Sequence, residues 1–387
     1  MAFWQLRSLI RQETPTPDAA TRRLTLPRSN YLSALKITLD WDNDTTRNVE
    51  SILDAIDRIE IIANGSSVLF SMRGFELFRH NWFTFRRHPF CLISEDPADT
   101  QIVELYVLFG RWLYDDQFAL NLADYNDVEL RVQYSPTIAA GNFVTAAGEL
   151  NVEALMYMEG PLPGGHIGFL RNTEVFSFTS AAAGDERIEL PRRFPWRNIV
   201  LVAREAAIDD GVDITRLQLD INSGARIQLD QLWLRWQEFN ARQLDIEAMI
   251  DQILFVADTN TAVLQMSRIQ NVGLAQTVAS DPAADTVSDA MVTTIAGDTL
   301  TIDAWTEDHT PAGEDLATDA TARRYRCRAQ GVSVPHSIIL PFDIMEQPGM
   351  AFDPRPFDIV ELVLTNGGAG ADTRVILQEI IPPGALV

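Results

Sequence analysis

The sequence contains the same four short motifs twice, in the same order. The first-half motifs and their counterparts are Arg23–Arg28 with Arg187–Arg192, Arg58–Gly65 with Arg216–Gly224, Tyr125–Val132 with Phe357–Leu364, and Val152–Met158 with Arg374–Ile380. Matching residues are 158 positions apart at Asn64 and Asn222 but 232 apart at Tyr125 and Phe357, so the second copy carries roughly 70 extra residues. The repeat is a whole domain, since solenoid and propeller repeats are only about 20–50 residues long.

Short apolar or alternating segments, separated by turn signals such as Asn64-Gly65, run through both copies. The predicted strands are Leu32–Asp40, Arg58–Ala63, Ser67–Ser71, Phe75–Phe78, Ile102–Phe109, Val128–Ser135 and Val152–Met158 in the first copy, and Thr173–Thr179, Arg187–Leu190, Ile199–Arg204, Arg216–Ile221, Arg226–Leu229, Leu232–Trp236, Leu300–Trp305, Val332–Pro341, Ile359–Thr365 and Arg374–Ile381 in the second. About seven or eight strands per copy without βαβ alternation indicate antiparallel sheets, and double-sheet jelly rolls have eight strands. The sequence therefore predicts an all-β chain of two tandem eight-stranded antiparallel jelly rolls, with short helices and an N-terminal arm.

The predicted boundaries follow from the motifs and from one proline- and glycine-rich connector. They are an arm at 1–17, a first jelly roll at 18–160, a connector at 161–172 and a second jelly roll at 173–387. Within the second roll we expect a helix over 241–257. The segment at about 271–325 is rich in Ala, Thr and Asp and has no counterpart in the first copy. It is predicted to be a surface insertion, because long polar loops lie outside the core.

The first residues have the pattern of a short amphipathic helix over 2–12 that lies on a membrane surface. The residues that carry this pattern are the apolar Phe3, Trp4, Leu6, Leu9 and Ile10 and the basic Arg7 and Arg11. Apolar residues at helical spacing beside arginine favour an interfacial helix on anionic lipid. The alternative is that the arm packs beneath a neighbouring subunit.

The charge balance predicts that nucleic acid is not a direct partner. The chain has 31 basic and 54 acidic residues, a net charge of −23, and Lys36 is its only lysine. Binding to nucleic acid depends on neutralising phosphates. The basic residues are almost all arginine, which suits interfaces, because the guanidinium forms bidentate pairs with carboxylates.

The cysteine pattern and the apolar runs indicate the compartment in which the chain is found. Cys91 and Cys327 occupy non-equivalent places in the two copies, which favours free thiols in a reducing compartment. No run of about 18 apolar residues is present, and we expect no secretion signal, since the N-terminus lacks a long apolar stretch and a small-residue cleavage site.

These features together resemble the double jelly-roll major capsid proteins of tailless icosahedral viruses and bacteriophages, many of which enclose a membrane. The resemblance rests on the tandem repeat, the hairpin motif at Arg58–Gly65, the Leu-Pro pairs at Leu26-Pro27 and Leu190-Pro191, and the basic N-terminal arm. It implies a structural protein rather than an enzyme. It further implies a homotrimer of six rolls with a pseudo-hexagonal footprint, packed into a capsid lattice in the virion and made in the host cytoplasm. The implied partners are other copies of the chain, penton and minor capsid proteins, and the viral membrane through the N-terminal arm.

Several motifs could carry chemistry, and for each a structural role is favoured. Asp40, Asp42 and Asp44 have calcium-loop spacing but lack the glycine and the bidentate glutamate that such a loop needs. The acidic stretch Asp209-Asp210-Gly211 with Asp213 is interpreted in the same way. The glycine-rich segment at 164–168 opens no helix, so a flexible connector is favoured over a phosphate site.

The histidines, at positions 80, 88, 166, 309 and 336, lack a metal-ligand spacing, and the pair His88 and Cys91 is not a catalytic motif. We therefore expect no catalytic, cofactor-binding or metal-binding residue. The densest basic cluster holds Arg323, Arg324, Arg326 and Arg328 beside Tyr325. On so acidic a protein these arginines are predicted to pair with carboxylates across a subunit interface.

Two other functions stay open at this point. A glycan-processing enzyme of two jelly rolls, similar to peptide-N-glycanase-type amidases, would need several carboxylates that converge between the rolls. A glycan-binding or host-recognition spike protein is the other alternative.

Overall fold

The first half of the chain folds into two facing antiparallel sheets in the computed structural model. The residues described are 2–15, 20–97, 99–136, 143–205, 208–256, 262–277, 290–305, 323–343 and 347–386. The strands of this half are β1 (Phe3–Glu13), β2 (Ala20–Thr25), β3 (Tyr31–Asn43), β4 (Arg58–Ala63), β5 (Ser67–Met72), β6 (Cys91–Ser94), β7 (Thr100–Leu108), β8 (Leu120–Asn121), β9 (Val128–Tyr134) and β10 (Phe143–Met158). Eight of them form two four-stranded layers in the orders β1-β10-β3-β7 and β2-β9-β4-β5. The short β6 and β8 pair with β7 and β3.

The second half repeats this topology strand for strand. Its roll is built from β11 (Phe169–Thr179), β12 (Gly184–Glu189), β13 (Trp196–Arg204), β14 (Ile214–Ile221), β15 (Arg226–Leu232), β22 (Ser337–Pro341), β23 (Val360–Asn366) and β24 (Asp372–Ile381). The layers run β11-β24-β13-β22 and β12-β23-β14-β15. Both the strand order and the pairing are the same as in the first half, which confirms the predicted fold of two tandem jelly rolls.

Three β-bulges recur at matching places and fix the residue equivalence of the two rolls. The bulge between Ser8 and Ile10 on β1 returns between Glu174 and Phe176 on β11. The bulges that β10 makes with β3 and that β4 makes with β5 also return, on β24 with β13 and on β14 with β15. The first three sequence matches agree with this register. The fourth match is wrong by one residue, because Val152 corresponds to Val375 rather than to Arg374.

Among the described residues, each roll has one α-helix, which lies in the same place, directly after the fifth strand. Helix α1 spans Gly74–Phe85 and helix α2 spans Trp233–Leu244. The predicted strands Phe75–Phe78 and Leu232–Trp236 are therefore wrong, because Phe75–Phe78 and Trp233–Trp236 form the first turns of α1 and α2, and only Leu232 belongs to a strand, β15. In α1 the Glu76 carboxylate accepts the backbone N–H of Arg73 at 2.9 Å and closes the helix N-terminus. The predicted helix over 241–257 is wrong beyond Leu244, because α2 ends there and Met249–Val256 form a strand.

The N-terminal residues form a strand and not the predicted amphipathic helix. Strand β1 pairs antiparallel with β10, from Phe3 opposite Met158 to Glu13 opposite Leu150. Ladder pairing with β10 gives partners to the backbone groups on one side of β1, whereas an isolated helix of this length is marginal in water. The arm is thus the outermost strand of the first roll.

Between α2 and β22 the second roll carries an extension of six strands. They are β16 (Met249–Val256), β17 (Ala262–Gln265), β18 (Asn271–Thr277), β19 (Ala290–Ala296), β20 (Thr299–Trp305) and β21 (Arg323–Gln330). Strands β16, β21 and β18 continue the β1-containing sheet of the first roll through a parallel contact of β16 with β6, and β17, β20 and β19 form a separate small sheet. The extension therefore reaches across to the first roll.

Alternating side chains build one core inside each roll. Leu35, Ile37 and Leu39 of β3 lie in the first core, and Ile199 and Leu201 of β13 lie in the second. No helix among the described residues is long and apolar enough to cross a membrane.

The equivalent hairpin asparagines of the two rolls are expected to stabilise the protein in the same way. Asn64 and Asn222 have φ of 51° and 54°, and their side-chain oxygens accept the backbone N–H groups of Asn126 (3.0 Å) and Asp358 (2.9 Å). Asn64→Ala and Asn222→Ala are each expected to lower the free energy of unfolding in urea by about 2 kcal/mol, because both the left-handed conformation and the hydrogen bond are affected. Asn→Gly at the same places removes only the hydrogen bond and should cost about half as much. Equal losses for Ala and Gly would contradict a role for the left-handed backbone.

Candidate functional site: the junction between the two rolls

The two rolls are joined edge to edge by a short parallel contact between β5 and β11. Asn172 lies opposite Phe70, and Thr173 lies opposite Ser71. The contact makes one continuous eight-stranded sheet out of a layer from each roll. Because parallel pairing over so few residues is weak, side-chain contacts on both faces must hold the rolls together.

A buried glutamate forms an ion-pair clamp beside the joined strands. The Glu174 carboxylate of β11 lies 2.9 Å from Arg58 Nη2 on β4 and 3.0 Å from Arg374 Nη1 on β24. Its side chain is only 8% exposed. Arg58 belongs to the first roll and the other two residues to the second, so the clamp fixes one roll against the other. Removing one partner of such a buried pair leaves an uncompensated charge, which costs several kcal/mol.

Apolar packing against α1 supplies the other face of the junction. On β13, alternate residues point away from the second core. Of these, Val200 and Val202 join the cluster of the first roll, together with Ile339 and Ile376. All four side chains are buried. The outer face of the second roll is thus covered by the first roll, and the sheet is buried on both sides.

A cleft of about 270 Å³ opens at the junction. The charged residues that line it decide whether acid–base chemistry could occur there. Carboxylates from both rolls do converge on it, as the enzyme alternative requires. Asp54, however, pairs with Arg204, and Asp372 pairs with Arg374 at 2.6 Å. The buried Glu76 has a pKa raised to about 7, chiefly by desolvation and further by Glu174. The ion pairing favours a structural clamp over a catalytic pair.

The junction residues are not close together along the chain. The partners of Glu174 are 116 and 200 residues away from it, so their meeting depends on the fold. For this reason the roles of Glu76, Glu174 and Arg374 could not be predicted from the sequence.

The predicted arm residues lie on the outermost strand of the first roll and not on one helical face. Ile10 is buried in the first core, and Trp4 packs edge-on against Tyr114 and Tyr157. Phe3 and Leu6 are about half exposed, and Arg7 and Arg11 are exposed. The remaining member, Leu9, is partly buried against the first core.

Two of the four predicted interface arginines have partners within their own chain. Arg326 and Arg328 of β21 contact the Asp251 carboxylate of β16 at 2.7 and 3.0 Å. These contacts tie neighbouring strands of the extension together. The side chains of Arg323 and Arg324 lie outside the described residues. Pairing of this cluster across a subunit interface stays a prediction.

The acidic stretch of the second roll anchors the extension. The Asp298 carboxylate, in the β19–β20 turn, accepts the backbone N–H groups of Asp210 (2.7 Å) and Arg268 (2.6 Å), and Asp209 accepts the N–H of Asp298 (2.8 Å). Asp210 is buried and accepts from Gln237 at 2.6 Å. These carboxylates thus act as hydrogen-bond acceptors for backbone groups.

The other acidic stretch is also structural. Asp40 and Asp42 belong to β3, where they accept the Glu149 N–H (2.7 Å) and the Thr100 hydroxyl (2.5 Å). Among the described residues, no group of three or more His, Cys, Asp or Glu side chains is placed to hold a metal ion.

The histidines and cysteines mostly lie within the folded layers. Burial lowers the pKa of His80, His88 and His336 to about 4, so these rings are neutral near pH 7. His166 packs against Tyr31, while His309 lies outside the described residues. Both thiols are free, and burial raises the pKa of Cys91 and Cys327 to about 12, which makes them poor nucleophiles.

Comparison with known proteins identifies the fold. The sequence matches no known family model and no curated protein. Among solved structures, the STIV MCP aligns over 98% of this chain and 97% of its own length, with a TM-score of 0.60 and 10% identity. The PBCV-1 virus capsid aligns over 100% and 96% (TM-score 0.54, 9% identity), and the major capsid protein P2 from bacteriophage PM2 over 98% and 99% (TM-score 0.52, 8% identity). The chain therefore has the double jelly-roll fold of these capsid proteins, over its full length.

The raised pKa of Glu76 predicts a pH dependence of stability. Its folded-state pKa of about 7 exceeds the ordinary glutamate value of 4.5. As the pH rises, the unfolded state therefore loses this proton before the folded state does. This contribution to stability is complete below about pH 4.5 and is lost as the pH rises through 7. The loss amounts to up to about 3 kcal/mol.

Glu76→Gln keeps an acceptor for the Arg73 N–H and cannot ionise. The variant is expected to match the wild type near pH 4 and to exceed its urea midpoint at pH 8. The exposed substitution Glu189→Gln is the control and should leave the pH profile unchanged. A wild-type profile that rises between pH 5 and 8 and is unaffected by Glu76→Gln would contradict the assignment.

Proposed function

We propose that the chain is a structural major capsid protein, which self-assembles as pseudo-hexameric trimers into an icosahedral shell. The observation that carries the proposal is the full-length double jelly roll, with two rolls of the same topology fixed side by side. Three such chains present six similar rolls from a single gene. A shell of hexagonal tiles needs near-sixfold edges, and a trimer of a duplicated domain supplies them while leaving the two rolls free to diverge.

The proposal extends to location and neighbours. The protein is made in the host cytoplasm and resides in the virion capsid, where its lattice neighbours are other trimers and, at special positions, penton and minor capsid proteins. The extension between α2 and β22 is proposed to project from the outer side of the shell, because the first roll has only β6 in the corresponding place. The net charge of −23 supports a shell that has no direct contact with the genome.

The shell proposal is tested by the assembly state and the copy number. Purified protein is expected to sediment as a trimer without added ligand, and virus particles that contain it should show many hundreds of copies by quantitative mass spectrometry and electron microscopy. A monomer at all concentrations and salts, or a few copies per particle, would contradict the proposal and would favour the spike alternative.

Contact with a membrane through the N-terminal residues stays a prediction, and it now concerns an edge strand rather than an amphipathic helix. The exposed Phe3 and Arg11 are the residues of β1 that could reach an anionic surface. Binding of the trimer to anionic vesicles is expected to fall several-fold in Phe3→Ser with Arg11→Ser and to weaken with salt. Equal binding of variant and wild type would exclude this contact and leave β1 a purely protein-facing strand.

A further inference from the structure

Each roll has a free strand edge whose counterpart in the other roll is paired inside the chain. Among the described residues, β1 and β15 each pair with a neighbour on one side only, namely β10 and β14. By topology, β1 is the counterpart of β11, and β15 is the counterpart of β5. Strands β5 and β11 are the pair that joins the two rolls. On each roll, one of the open edges is therefore the counterpart of the edge that is used inside the chain.

The recurring bulges set which residues correspond at these edges. The bulge at Ser8 and Ile10 matches the one at Glu174 and Phe176, so Leu6 corresponds to Asn172 and Arg7 to Thr173. On the other edge, Ile61 pairs with Phe70 as Leu219 pairs with Leu229, and Glu60 pairs with Ser71 as Gln218 pairs with Asp230.

We propose that β1 of one copy pairs in parallel with β15 of a second copy, with Leu6 opposite Leu229 and Arg7 opposite Asp230. The contact repeats the internal pairing of Asn172 with Phe70 and of Thr173 with Ser71. The proposal rests on the trimeric shell proposed above and names the residues by which its subunits are joined.

The two predicted residue pairs are chemically complementary. Leu6 is 55% exposed and would meet the partly buried Leu229, so the contact removes apolar surface from water. Arg7 is exposed and would meet the exposed Asp230. Opposite charges at facing positions of neighbouring strands stabilise the pairing.

The arginine beside Asp230 also has a counterpart at the internal junction. Inside the chain, Ser71 accepts from Arg58 at 3.1 Å. At the free edge, Arg216 corresponds to Arg58 and contacts Asp230 through Nε at 2.6 Å. Arg7 of the second copy would complete a cation–carboxylate–cation group like the one that Arg58, Glu174 and Arg374 form inside the chain.

Strand β5 and helix α1 are more buried than their counterparts β15 and α2. This difference is expected if the second roll covers β5 and α1 within the chain while β15 and α2 wait for another copy. Phe70 and Ser71 of β5 are buried, whereas all residues of β15 except Leu229 are exposed. The Glu76 side chain of α1 is 3% exposed, and its counterpart Arg235 of α2 is 65% exposed. An open hollow lined by Asp230, Trp236 and Phe239 lies beside β15. In the first roll the second roll covers the equivalent surface.

The surface that would cover α2 is the outer face of the first roll of the next copy. Its residues Lys36, Tyr106 and Glu153 correspond to the apolar Val200, Ile339 and Ile376 of the second roll. This face is polar because it is exposed to water until copies meet, whereas the internal face is covered as the chain folds. A head-to-tail contact of this kind closes into a ring when its rotation allows, and three chains give six rolls.

A charge exchange tests the pairing of Arg7 with Asp230. Arg7→Asp and Asp230→Arg are each expected to raise the trimer dissociation constant at least about tenfold, because the pair occurs three times per trimer. The double variant, which exchanges the two charges, is expected to recover most of the wild-type stability. Arg11→Asp, on the same strand but beyond the paired residues, is the matched control. Circular dichroism would confirm that each variant folds.

Cysteine cross-linking tests the register. In the Cys91→Ser background, Leu6→Cys with Leu229→Cys is expected to form a reducible link between copies, and Gln5→Cys with Leu229→Cys is not, since neighbouring residues of a strand point to opposite faces. Linked dimers and trimers on a non-reducing gel, with charge rescue, support the proposal. A wild-type trimer without the link and without rescue overturns this interface but leaves the shell proposal standing. A wild-type protein that stays monomeric overturns both.

Discussion

The structure depends on a parallel contact only two residues long. Asn172 with Phe70 and Thr173 with Ser71 align the rolls so that one layer of each becomes a single sheet. So short a pairing cannot orient two domains alone. The Glu174 clamp holds its flank, and α1 fills the space above the second roll with apolar side chains. Each of these contacts requires the register that the strand pair sets, so the relative placement of the rolls follows from it.

The two copies have kept the same topology while their surfaces have diverged. The positions that hold Val200 and Ile376 in the second roll hold Lys36 and Glu153 in the first, where Lys36 pairs with Glu104 at 2.7 Å. The difference has a physical cause. The outer face of the second roll is covered within the chain and gains from apolar burial, whereas the same face of the first roll meets water in the free chain. If the first roll had the same apolar face, it would expose an aggregation-prone apolar surface before assembly.

Much of this fold could be predicted from the sequence, because strand pairing in jelly rolls leaves local signals. The bounds of β4 were predicted to the residue, and Asn64 and Asn222 marked the two hairpins. The helices were missed where the patterns overlap: Phe75 and Phe78 fit a strand over four residues, but with Trp82 and Phe85 they follow helical spacing along α1. Strand β1 was missed because its apolar residues have helical spacing by chance. Only its pairing with β10 shows that the segment is a strand. The junction residues could not be predicted, since Glu174 has meaning only beside Arg58 and Arg374.

A strand in place of a helix at the N-terminus changes what the first residues must avoid. A free sheet edge invites pairing with any other edge, and proteins commonly protect such edges with charge. Strand β1 carries Arg7 and Arg11, while β15 carries Asp230. Two β1 edges brought together in register would place arginine near arginine, and two β15 edges would place aspartate near aspartate. In the proposed parallel register, pairing of β1 with β15 places Arg7 beside Asp230. The same side chains that protect the free edges would thus favour the edge that continues the internal junction, and specificity would arise from charges that contribute little to the stability of the isolated chain.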